Sequence, residues 1–147
     1  MSGWRLRRSR PDDAPALHMV WRRSVEATHG FLGAGELEVI SLQVRQDYLP
    51  GADLLVAVDG EDRPIGFMGL AEREIDCLFI APAWRGRGLG RAFVEAAGRG
   101  RLEVSVNEQN SLAVGFYEAM GFIPYARTAT DGEGRPYPLL KMRREPI

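Results

Sequence analysis

The sequence predicts a single α/β domain of the α+β kind, in which a mixed, mostly antiparallel sheet is flanked by helices. Three observations lead to this prediction. Short segments of alternating apolar and polar residues recur along the chain, as is typical of half-buried strands. Between them, apolar residues return every three or four positions, which indicates amphipathic helices. No repeat or linker divides residues 1–147, a length that suits one domain with a substantial core.

The first strand and the first helix are the most clearly marked elements. Residues 4–8 alternate apolar and basic side chains, and Pro11 with two aspartates supplies helix-start chemistry. The helix is expected to end near Gly30 and to bury one face, formed by Leu17, Val20, Trp21, Ser24 and Val25. A weaker helix is predicted over 36–48, with Leu37, Ile40 and Val44 on one side.

The rest of the chain alternates between strands and helices. Segments 54–58, 65–71 and 75–80 indicate an antiparallel meander. A third helix is predicted over 88–97, with Phe93 and Val94 turned inward. A fifth strand at Leu102, Val104 and Val106, a helix over 111–120, and strands at 123–129 and 138–142 complete the chain. The predicted order of elements is βααβββαβαββ.

Composition limits the function classes. The formal net charge of −1 and the pI near 6.1 argue against a general nucleic-acid binder. The lone Cys77 excludes an internal disulfide, and His, Cys and carboxylates show no metal-ligand spacing. The basic start is not followed by an apolar segment, and no later stretch has the length of a membrane span. We therefore expect a cytoplasmic protein with no metal and with no nucleic-acid or membrane partner.

A glycine-and-arginine turn joins the predicted strand at 75–80 to the third helix. It consists of Arg85, Gly86, Arg87, Gly88, Leu89 and Gly90. Alternate glycines allow backbone conformations closed to other residues, and a helix N-terminus adds unpaired N–H groups. The turn is therefore typical of a diphosphate cradle, although an ordinary turn with solvated arginines has the same composition. Its spacing is neither GxGxxG nor that of a P-loop.

A second group of polar residues lies on the predicted helix at 111–120. With about 100° of rotation per residue, Asn110 and Tyr117 lie on nearly the same face, with Ala113 between them. That face is expected to point at a ligand groove. In the alternative, Asn110 only caps the helix and Tyr117 is a core residue with its hydroxyl bonded. A separate apolar stripe is predicted to enter the core, formed by Leu112, Phe116 and Met120.

These two motifs resemble those of the GNAT family of acyl-CoA N-acyltransferases. The turn matches the signature Arg/Gln-x-x-Gly-x-Gly/Ala. The second cluster matches Asn-x-x-Ala-x-x-Phe-Tyr-x-x-x-Gly-Phe, at Asn110, Ala113, Phe116, Tyr117, Gly121 and Phe122. The order of elements is also that of the family, so the resemblance covers nearly the whole chain. It implies the GNAT fold and transfer of the acetyl group of acetyl-CoA to a small amine or a protein lysine.

The resemblance also implies where acetyl-CoA binds. Backbone groups of Leu78, Phe79 and Ile80 would bond the pantetheine arm, which in the family lies between two splayed strands. Asn107 or Asn110 would hold the arm from the other side. The diphosphate would lie on the turn and the start of the third helix, at Arg85, Gly86, Arg87, Gly88, Leu89, Gly90 and Arg91.

Acyl transfer needs an uncharged amine, a polarised carbonyl and a proton for the departing thiolate. Backbone N–H groups near Phe79 can polarise the carbonyl. The resemblance places Tyr117 at the thioester sulfur, and a phenol, with an ordinary pKa of about 10, stays protonated at neutral pH and can act as general acid. Two residues are candidates for the base: Asp76 acting through water, and His29. Their alternatives are a solvated hairpin carboxylate and a structural histidine.

Three segments narrow the resemblance to the bacterial YjaB-type acetyltransferases, a subgroup linked to acetylation of protein lysines. They are SVEATHGFL, VNEQN and DGEGRPYPLL. The subgroup places Thr28, His29 and Tyr137 at the acceptor mouth, whereas Tyr137 before Pro138 is equally typical of an exposed aromatic on a rigid hairpin. The sequence is compatible with a monomer or a homodimer.

Two other function classes are compatible with parts of the sequence: a non-catalytic acyl-CoA sensor or partner-binding module, and an RNA-binding domain that uses the RGRG stretch. Tyr117 together with Asn110 favours the enzyme, because a sensor needs no proton donor at the sulfur. An acyl-cysteine at Cys77 is disfavoured, because no histidine is near it in sequence and buried thiols are usually inert. Direct attack in a ternary complex is therefore expected.

Overall fold

The computed structural model describes residues 3–28, 30 and 33–147, with the side chain of Ala34 excepted. Among these residues the strands are β1 (Trp4–Arg8), β2 (Leu55–Asp59), β3 (Pro64–Ala71), β4 (Glu74–Ile80), β5 (Leu102–Asn107), β6 (Ile123–Thr128) and β7 (Leu139–Arg144). The α-helices are α1 (Ala14–Thr28), α2 (Ala34–Gln43), α3 (Leu89–Ala96) and α4 (Ser111–Ala119). The predicted order βααβββαβαββ is confirmed.

Short turns of other helical types complete the described elements. The 3₁₀ turns cover Pro11–Asp13, Leu49–Gly51 and Pro82–Trp84. The predicted helix at 36–48 starts earlier, as α2, and changes into a π-helical turn over Val44–Tyr48. Leu37, Ile40 and Val44, predicted on one side of this helix, all pack against the core. The sequence pattern predicted which residues share one side of this helix, but not its change from α-helical to π-helical winding.

The strands form a mixed sheet in the order β1-β2-β3-β4-β5-β7-β6. The pairs β1–β2, β2–β3, β5–β7 and β6–β7 are antiparallel. β4 and β5 pair in parallel, through Glu74 with Glu103 and Ile75 with Val104. The predicted α+β class with a mostly antiparallel sheet is therefore confirmed.

Contacts divide the chain into two compact units. The first unit comprises Met1–Gly69 and Cys77–Phe93, and the second comprises Leu70–Asp76 and Val94–Ile147. No helix in the described part of the chain is both long and apolar enough to cross a bilayer.

The core of the first unit is formed by α1 and the strands it covers. The five residues predicted on the inner face of α1 are all buried. The four apolar residues among them pack with Leu49 of the 3₁₀ turn, with Leu54 just before β2, and with residues of β2 and β3: Val56, Val58 and Phe67. Each large side chain of this kind contributes about 1.5–3 kcal/mol when it leaves water, so this cluster fixes α1 on the sheet.

A largely buried ion pair fastens β1 to the turn that begins α1. Arg7 donates to both carboxylate oxygens of Asp13, at 2.8 and 2.9 Å, and Asp13 is 6% exposed. Asp13 also accepts from the backbone N–H of Arg10 at 2.7 Å, and Arg7 reaches Asp62 in the β2–β3 turn at 3.0 Å. The bonds from Arg7 hold the pKa of Asp13 below its ordinary value, although burial opposes this.

We expect Asp13→Asn to lower the free energy of unfolding by about 3 kcal/mol at pH 7, because Arg7 loses its main ionic partner where water is scarce. The pKa of Asp13 is lower in the folded state than in the unfolded chain. The stabilisation is therefore complete above about pH 4 and is lost as the pH falls through the folded pKa. Urea unfolding at pH 7 and at a series of pH values below about 4 should show the gap between wild type and variant narrowing as the pH falls. A gap that does not narrow anywhere below about pH 4 would assign the loss to another cause.

Gly69 on β3 makes room for a contact between a tyrosine and a cysteine. The hydroxyl of Tyr48, at the end of the π-helical turn, lies 3.1 Å from Sγ of Cys77 on β4. A Cβ on Gly69 would lie 2.8 Å from that hydroxyl and 3.1 Å from both the Cys77 sulfur and a methyl of Leu54. Three side chains therefore close on one position, so any side chain added at Gly69 must displace at least one of them.

We expect Gly69→Ala to destabilise the protein by about 1–3 kcal/mol, since the added methyl overpacks this point. Gly60→Ala in the β2–β3 turn is the matched control, because its Cβ would meet nothing within 4 Å. Thermal unfolding of both variants measures the difference. Equal melting temperatures for the two would contradict the close packing at Gly69.

The core of the second unit contains the alternating residues of β5. Leu102, Val104 and Val106 are buried as predicted, together with Phe122 and Met142. Val94 of α3, in this unit, and Phe93, the last residue of the first unit, are both fully buried, which confirms their predicted inward direction.

A buried arginine on β7 closes the loop that follows α3. Arg144 is 5% exposed and donates to the carbonyls of Gly98 and Gly100, at 2.8 and 2.6 Å. Arg73 donates to the carbonyls of Ala97 and Arg101, at 2.9 Å each. Burial lowers the pKa of Arg144. Cations at the last carbonyls of a helix satisfy unpaired acceptors and complement its dipole, so these two side chains fix the end of α3.

The prediction of a core stripe on α4 is wrong. Leu112 is 65% exposed, and Phe116 and Met120 are only half-buried. The buried residue of this helix is Tyr117, at 5% exposure, with its ring edge-to-face against Phe122 at 5.3 Å. Phe122 is brought back onto the helix by Gly121, whose φ of +93° reverses the chain. The buried direction of α4 is therefore set by this helix ending, which periodicity did not indicate.

Candidate active site

The glycine-and-arginine turn after β4 has the backbone that its sequence predicted. β4 ends at Ile80, the 3₁₀ turn Pro82–Trp84 follows, and Arg85 is extended. Gly86 and Gly88 then adopt backbone φ angles of +75° and +86°, which residues with a Cβ rarely adopt. The turn leads directly into α3. We call Arg85–Gly88 with the first turn of α3 the cradle.

Helix α3 directs its first N–H groups out of the cradle end. The first helical hydrogen bond runs from the N–H of Ala92 to the carbonyl of Gly88, at 3.0 Å. The N–H groups of Leu89, Gly90 and Arg91 therefore precede any helical acceptor and project from the N-terminus, where the helix dipole is positive. Leu89 is 1% exposed, so this end of the helix is anchored.

The cradle fits a diphosphate. A Cβ added at Gly86 or Gly88 would meet nothing within 4 Å, so the space beside the turn is open. Arg87 and Arg91 are exposed and Arg85 is half-buried, which supplies positive charge around that space. Open backbone N–H groups at a helix start with nearby guanidinium groups are the chemistry that phosphate oxygens require.

Two tryptophans that sequence reasoning did not connect with the turn hold Arg87 in place. The indole N–H of Trp4 donates to the Arg87 carbonyl at 3.2 Å. The Arg87 guanidinium lies over the Trp84 ring, with Cζ 4.6 Å from the ring centroid. Trp84 is adjacent to the motif in sequence, but Trp4 gave no signal beyond its place in a strand.

The backbone of Phe79, predicted to help bind pantetheine, faces β3. The N–H of Ala81 donates to a carbonyl of β3 at 2.8 Å, and a Cβ on Gly66 would lie 3.1 Å from the Phe79 carbonyl oxygen. Because backbone groups alternate in direction along a strand, Leu78 and Ile80 direct theirs to the opposite edge of β4. Of the three predicted residues, these two have backbone groups turned away from β3.

Two further side chains of β4 bear on the chemistry. Asp76 is exposed, which fits both the base acting through water and the solvated hairpin carboxylate. Cys77 is half-buried against the first unit's core and bonded to the Tyr48 hydroxyl. The packing of Cys77 is that of a small core residue.

The predicted residues around α4 lie in the second unit. Asn107, the last residue of β5, accepts from the N–H of Gln109 at 3.2 Å. Asn110 caps α4, its side-chain oxygen accepting from the N–H of Ala113 at 3.2 Å. Tyr117 is buried two turns later. Asn110 therefore caps α4, as the alternative interpretation predicted. The roles of these residues in binding the cofactor stay predictions.

The predicted acceptor residues lie in two places. His29 lies outside the described residues. The hydroxyl of Thr28, at the end of α1, donates to the Ser24 carbonyl at 2.9 Å. Tyr137 is half-buried and follows a turn in which Asp131 accepts from the N–H groups of Glu133 and Arg135, both at 2.9 Å. The alternative prediction, an exposed aromatic on a rigid hairpin, does not match the half-buried Tyr137.

The other histidine, His18, has a structural place. Its Nε2 lies 2.8 Å from the hydroxyl of Ser41, and its ring stacks on Trp21. Burial lowers the pKa of His18, so it stays neutral at physiological pH. No group of three or more His, Cys, Asp or Glu side chains within the described ranges is placed to hold a metal ion.

Comparison with known proteins decides the family. A family model described as "Acetyltransferase (GNAT) domain" matches residues 50–124, which contain β4, the cradle and α4. The chain belongs to the GNAT family. The resemblance predicted from the two motifs is confirmed, and the chain is an N-acetyltransferase.

GNAT relatives match it over almost the whole length. Peptidyl-lysine N-acetyltransferase YjaB of Salmonella typhimurium is 47% identical over 143 residues, covering 93% of this chain and 95% of the relative. The Escherichia coli protein of the same name is 46% identical, covering 93% and 94%. The predicted YjaB-type subgroup is thereby confirmed.

Solved GNAT structures agree with the fold. The solution structure of apo-form YjaB from Escherichia coli matches with a TM-score of 0.91 and 44% identity, over 98% of this chain and 99% of that one. The PaiA N-acetyltransferase of Thermoplasma acidophilum, solved in complex with coenzyme A, matches with a TM-score of 0.75 at 21% identity, over 97% and 98%. The second likeness shows the fold alone.

Proposed function

We propose that this enzyme transfers the acetyl group of acetyl-CoA to the side-chain amine of lysine in proteins, by direct attack in a ternary complex. The cradle carries the proposal, because Gly86 and Gly88 hold their positive φ values immediately before the N-terminus of α3. The names of the YjaB relatives support lysine as acceptor. We further propose that residues 1–147 act as one catalytic domain in the cytoplasm, where a lone thiol stays reduced.

In this proposal acetyl-CoA, the acetyl donor, is held mainly by backbone groups of the protein. The diphosphate accepts hydrogen bonds from the cradle, both from Arg85–Gly88 and from the first turn of α3. The pantetheine arm bonds to Leu78 and Ile80, whose backbone groups face away from β3. Asn107 or Asn110 supplies an amide to the arm. The N–H of Ile80, rather than that of Phe79, is the candidate to polarise the thioester carbonyl.

The chemical step moves two protons. The neutral lysine nitrogen attacks the carbonyl carbon, the carbon–sulfur bond breaks, and the departing thiolate takes a proton from the Tyr117 hydroxyl. The nitrogen loses its proton to a base, for which Asp76 acting through water and His29 are the candidates. Asp76 is exposed, so water can reach it. Thr28, His29 and Tyr137 contact the acceptor in this proposal.

Cys77 takes no covalent part in the proposed reaction. Its sulfur is hydrogen-bonded to the Tyr48 hydroxyl and packed against the core, which makes the thiol a poor nucleophile. Cys77→Ala should therefore retain turnover, whereas a ping-pong route through an acetyl-cysteine would lose it.

The test is to incubate the purified protein with acetyl-CoA and a panel of lysine peptides and small amines, and to measure released thiol and acetylated product. Thiol release that depends on a lysine peptide is the expected result. Release with small amines alone would contradict the lysine acceptor. Binding of acetyl-CoA without thiol release above hydrolysis, for every amine tried, would contradict the enzyme itself.

A further inference from the structure

The carbonyl of Arg87, in the middle of the cradle, is bonded to a residue from the opposite end of the first unit's sequence. Trp4, 83 positions earlier, donates its indole N–H to this oxygen at 3.2 Å. The Arg87 side chain is held separately, by the ring of Trp84. Backbone and side chain of one cradle residue are thus each fixed by an indole.

The bond from Trp4 sets the orientation of the peptide group between Arg87 and Gly88. In a trans peptide the C=O and the following N–H point in opposite directions. Because the Arg87 carbonyl is turned toward the indole, the N–H of Gly88 is turned to the other side of the chain. The φ of +86° at Gly88 then carries the chain from this peptide into α3.

We propose that Trp4 is a positioning residue for the diphosphate of acetyl-CoA, and that it acts by directing the Gly88 N–H at the phosphate oxygens. This N–H would join those of Leu89, Gly90 and Arg91 at the start of α3. The inference rests on the proposed function. Hydrogen bonds to phosphate are charge-assisted and directional, so an N–H fixed before binding adds affinity without an ordering cost.

The hydrogen bond from Trp4 to Arg87 is not needed to hold β1 in place. Trp4 already pairs with Asp59 in the antiparallel register of β1 with β2, as the other residues of β1 pair with theirs. The buried pair Arg7–Asp13 fastens the same strand. β1 is therefore held without the indole N–H. The peptide at Arg87, in contrast, lies between Gly86 and Gly88, the two glycines of the turn with positive φ.

The test is Trp4→Phe, which keeps an aromatic ring and removes the donor. The dissociation constant of coenzyme A, measured by calorimetry, should rise about fivefold to tenfold, the effect of one lost hydrogen bond. The value of kcat/KM for S-acetylpantetheine, which has the thioester but no diphosphate, should stay unchanged. In ¹H–¹⁵N spectra, coenzyme A should shift the Gly88 amide less in the variant than in the wild type.

Trp21→Phe is the matched control, since Trp21 is 4% exposed in the α1 core and has no part in the cradle. It should lower the melting temperature without changing the affinity for coenzyme A. Equal affinity of wild type and Trp4→Phe, or an equal loss with S-acetylpantetheine, would overturn the role of Trp4 and leave the proposed function standing. Failure of the wild type to bind coenzyme A would overturn both.

Discussion

Replacing Tyr117 with phenylalanine is expected to lower kcat about 100-fold or more, the usual effect of removing a general acid. The dissociation constant of acetyl-CoA should change by less than about threefold, because the hydroxyl is needed when the thiolate departs rather than when the donor binds. Steady-state kinetics with a lysine peptide, together with calorimetric titration of acetyl-CoA, measure the two quantities separately.

The fold should tolerate this substitution. Tyr117 is 5% exposed and its ring packs edge-to-face on Phe116 and Phe122, at 5.2 and 5.3 Å between centroids. Phenylalanine keeps both ring contacts, so the loss of stability should not exceed that of one hydrogen bond, about 1 kcal/mol.

Tyr125→Phe is the matched control for the loss of a phenol. The Tyr125 hydroxyl donates to Glu103 at 3.0 Å on the exposed face of β6, and the proposed chemistry does not use it. This variant should keep wild-type kcat. If Tyr117→Phe lost affinity and turnover to the same degree, or if both variants lost turnover alike, Tyr117 would not be the acid.

Gly88→Val is expected to have the opposite effect. The affinity for acetyl-CoA should fall about 100-fold, while kcat at saturation changes little. A β-branched residue cannot hold φ near +86°, so the peptide groups of the cradle must rotate away from the diphosphate. A Cβ there meets nothing within 4 Å, so the variant should fold with a strain cost of about 1–3 kcal/mol. Calorimetry with coenzyme A measures the effect.

Gly134→Val applies the same backbone strain in the loop between β6 and β7. Its φ is +77°, and a Cβ there also meets nothing within 4 Å. We expect a similar drop in melting temperature with unchanged affinity for coenzyme A. Unchanged affinity in Gly88→Val as well would place the diphosphate somewhere other than the cradle.

Local chemistry made much of the fold predictable. The buried face of α1 follows from helical spacing, and the burial of Leu102, Val104 and Val106 follows from strand alternation. The positive φ values at Gly86 and Gly88 follow from glycines at alternate positions. In each case one segment of sequence contains the pattern and its cause.

The features that could not be predicted depend on contacts between distant segments. Leu112 was expected in the core and is exposed, because Phe122 folds back onto Tyr117 and sets which side of α4 is covered. The direction of the Phe79 backbone depends on its register with β3. The bond from Trp4 to Arg87 joins residues whose spacing carries no periodic signal. These features are set by where the chain reverses and by how distant strands align, which no single segment of sequence contains.

The indoles beside the cradle also make the protein its own optical reporter. Of the chain's three tryptophans, Trp4 and Trp84 both contact Arg87, while Trp21 is buried in the α1 core. A phosphate-bearing ligand that displaces water and charge next to two of the three fluorophores should alter the intrinsic emission. Donor binding can then be followed by ultraviolet fluorescence without any label or coupled assay.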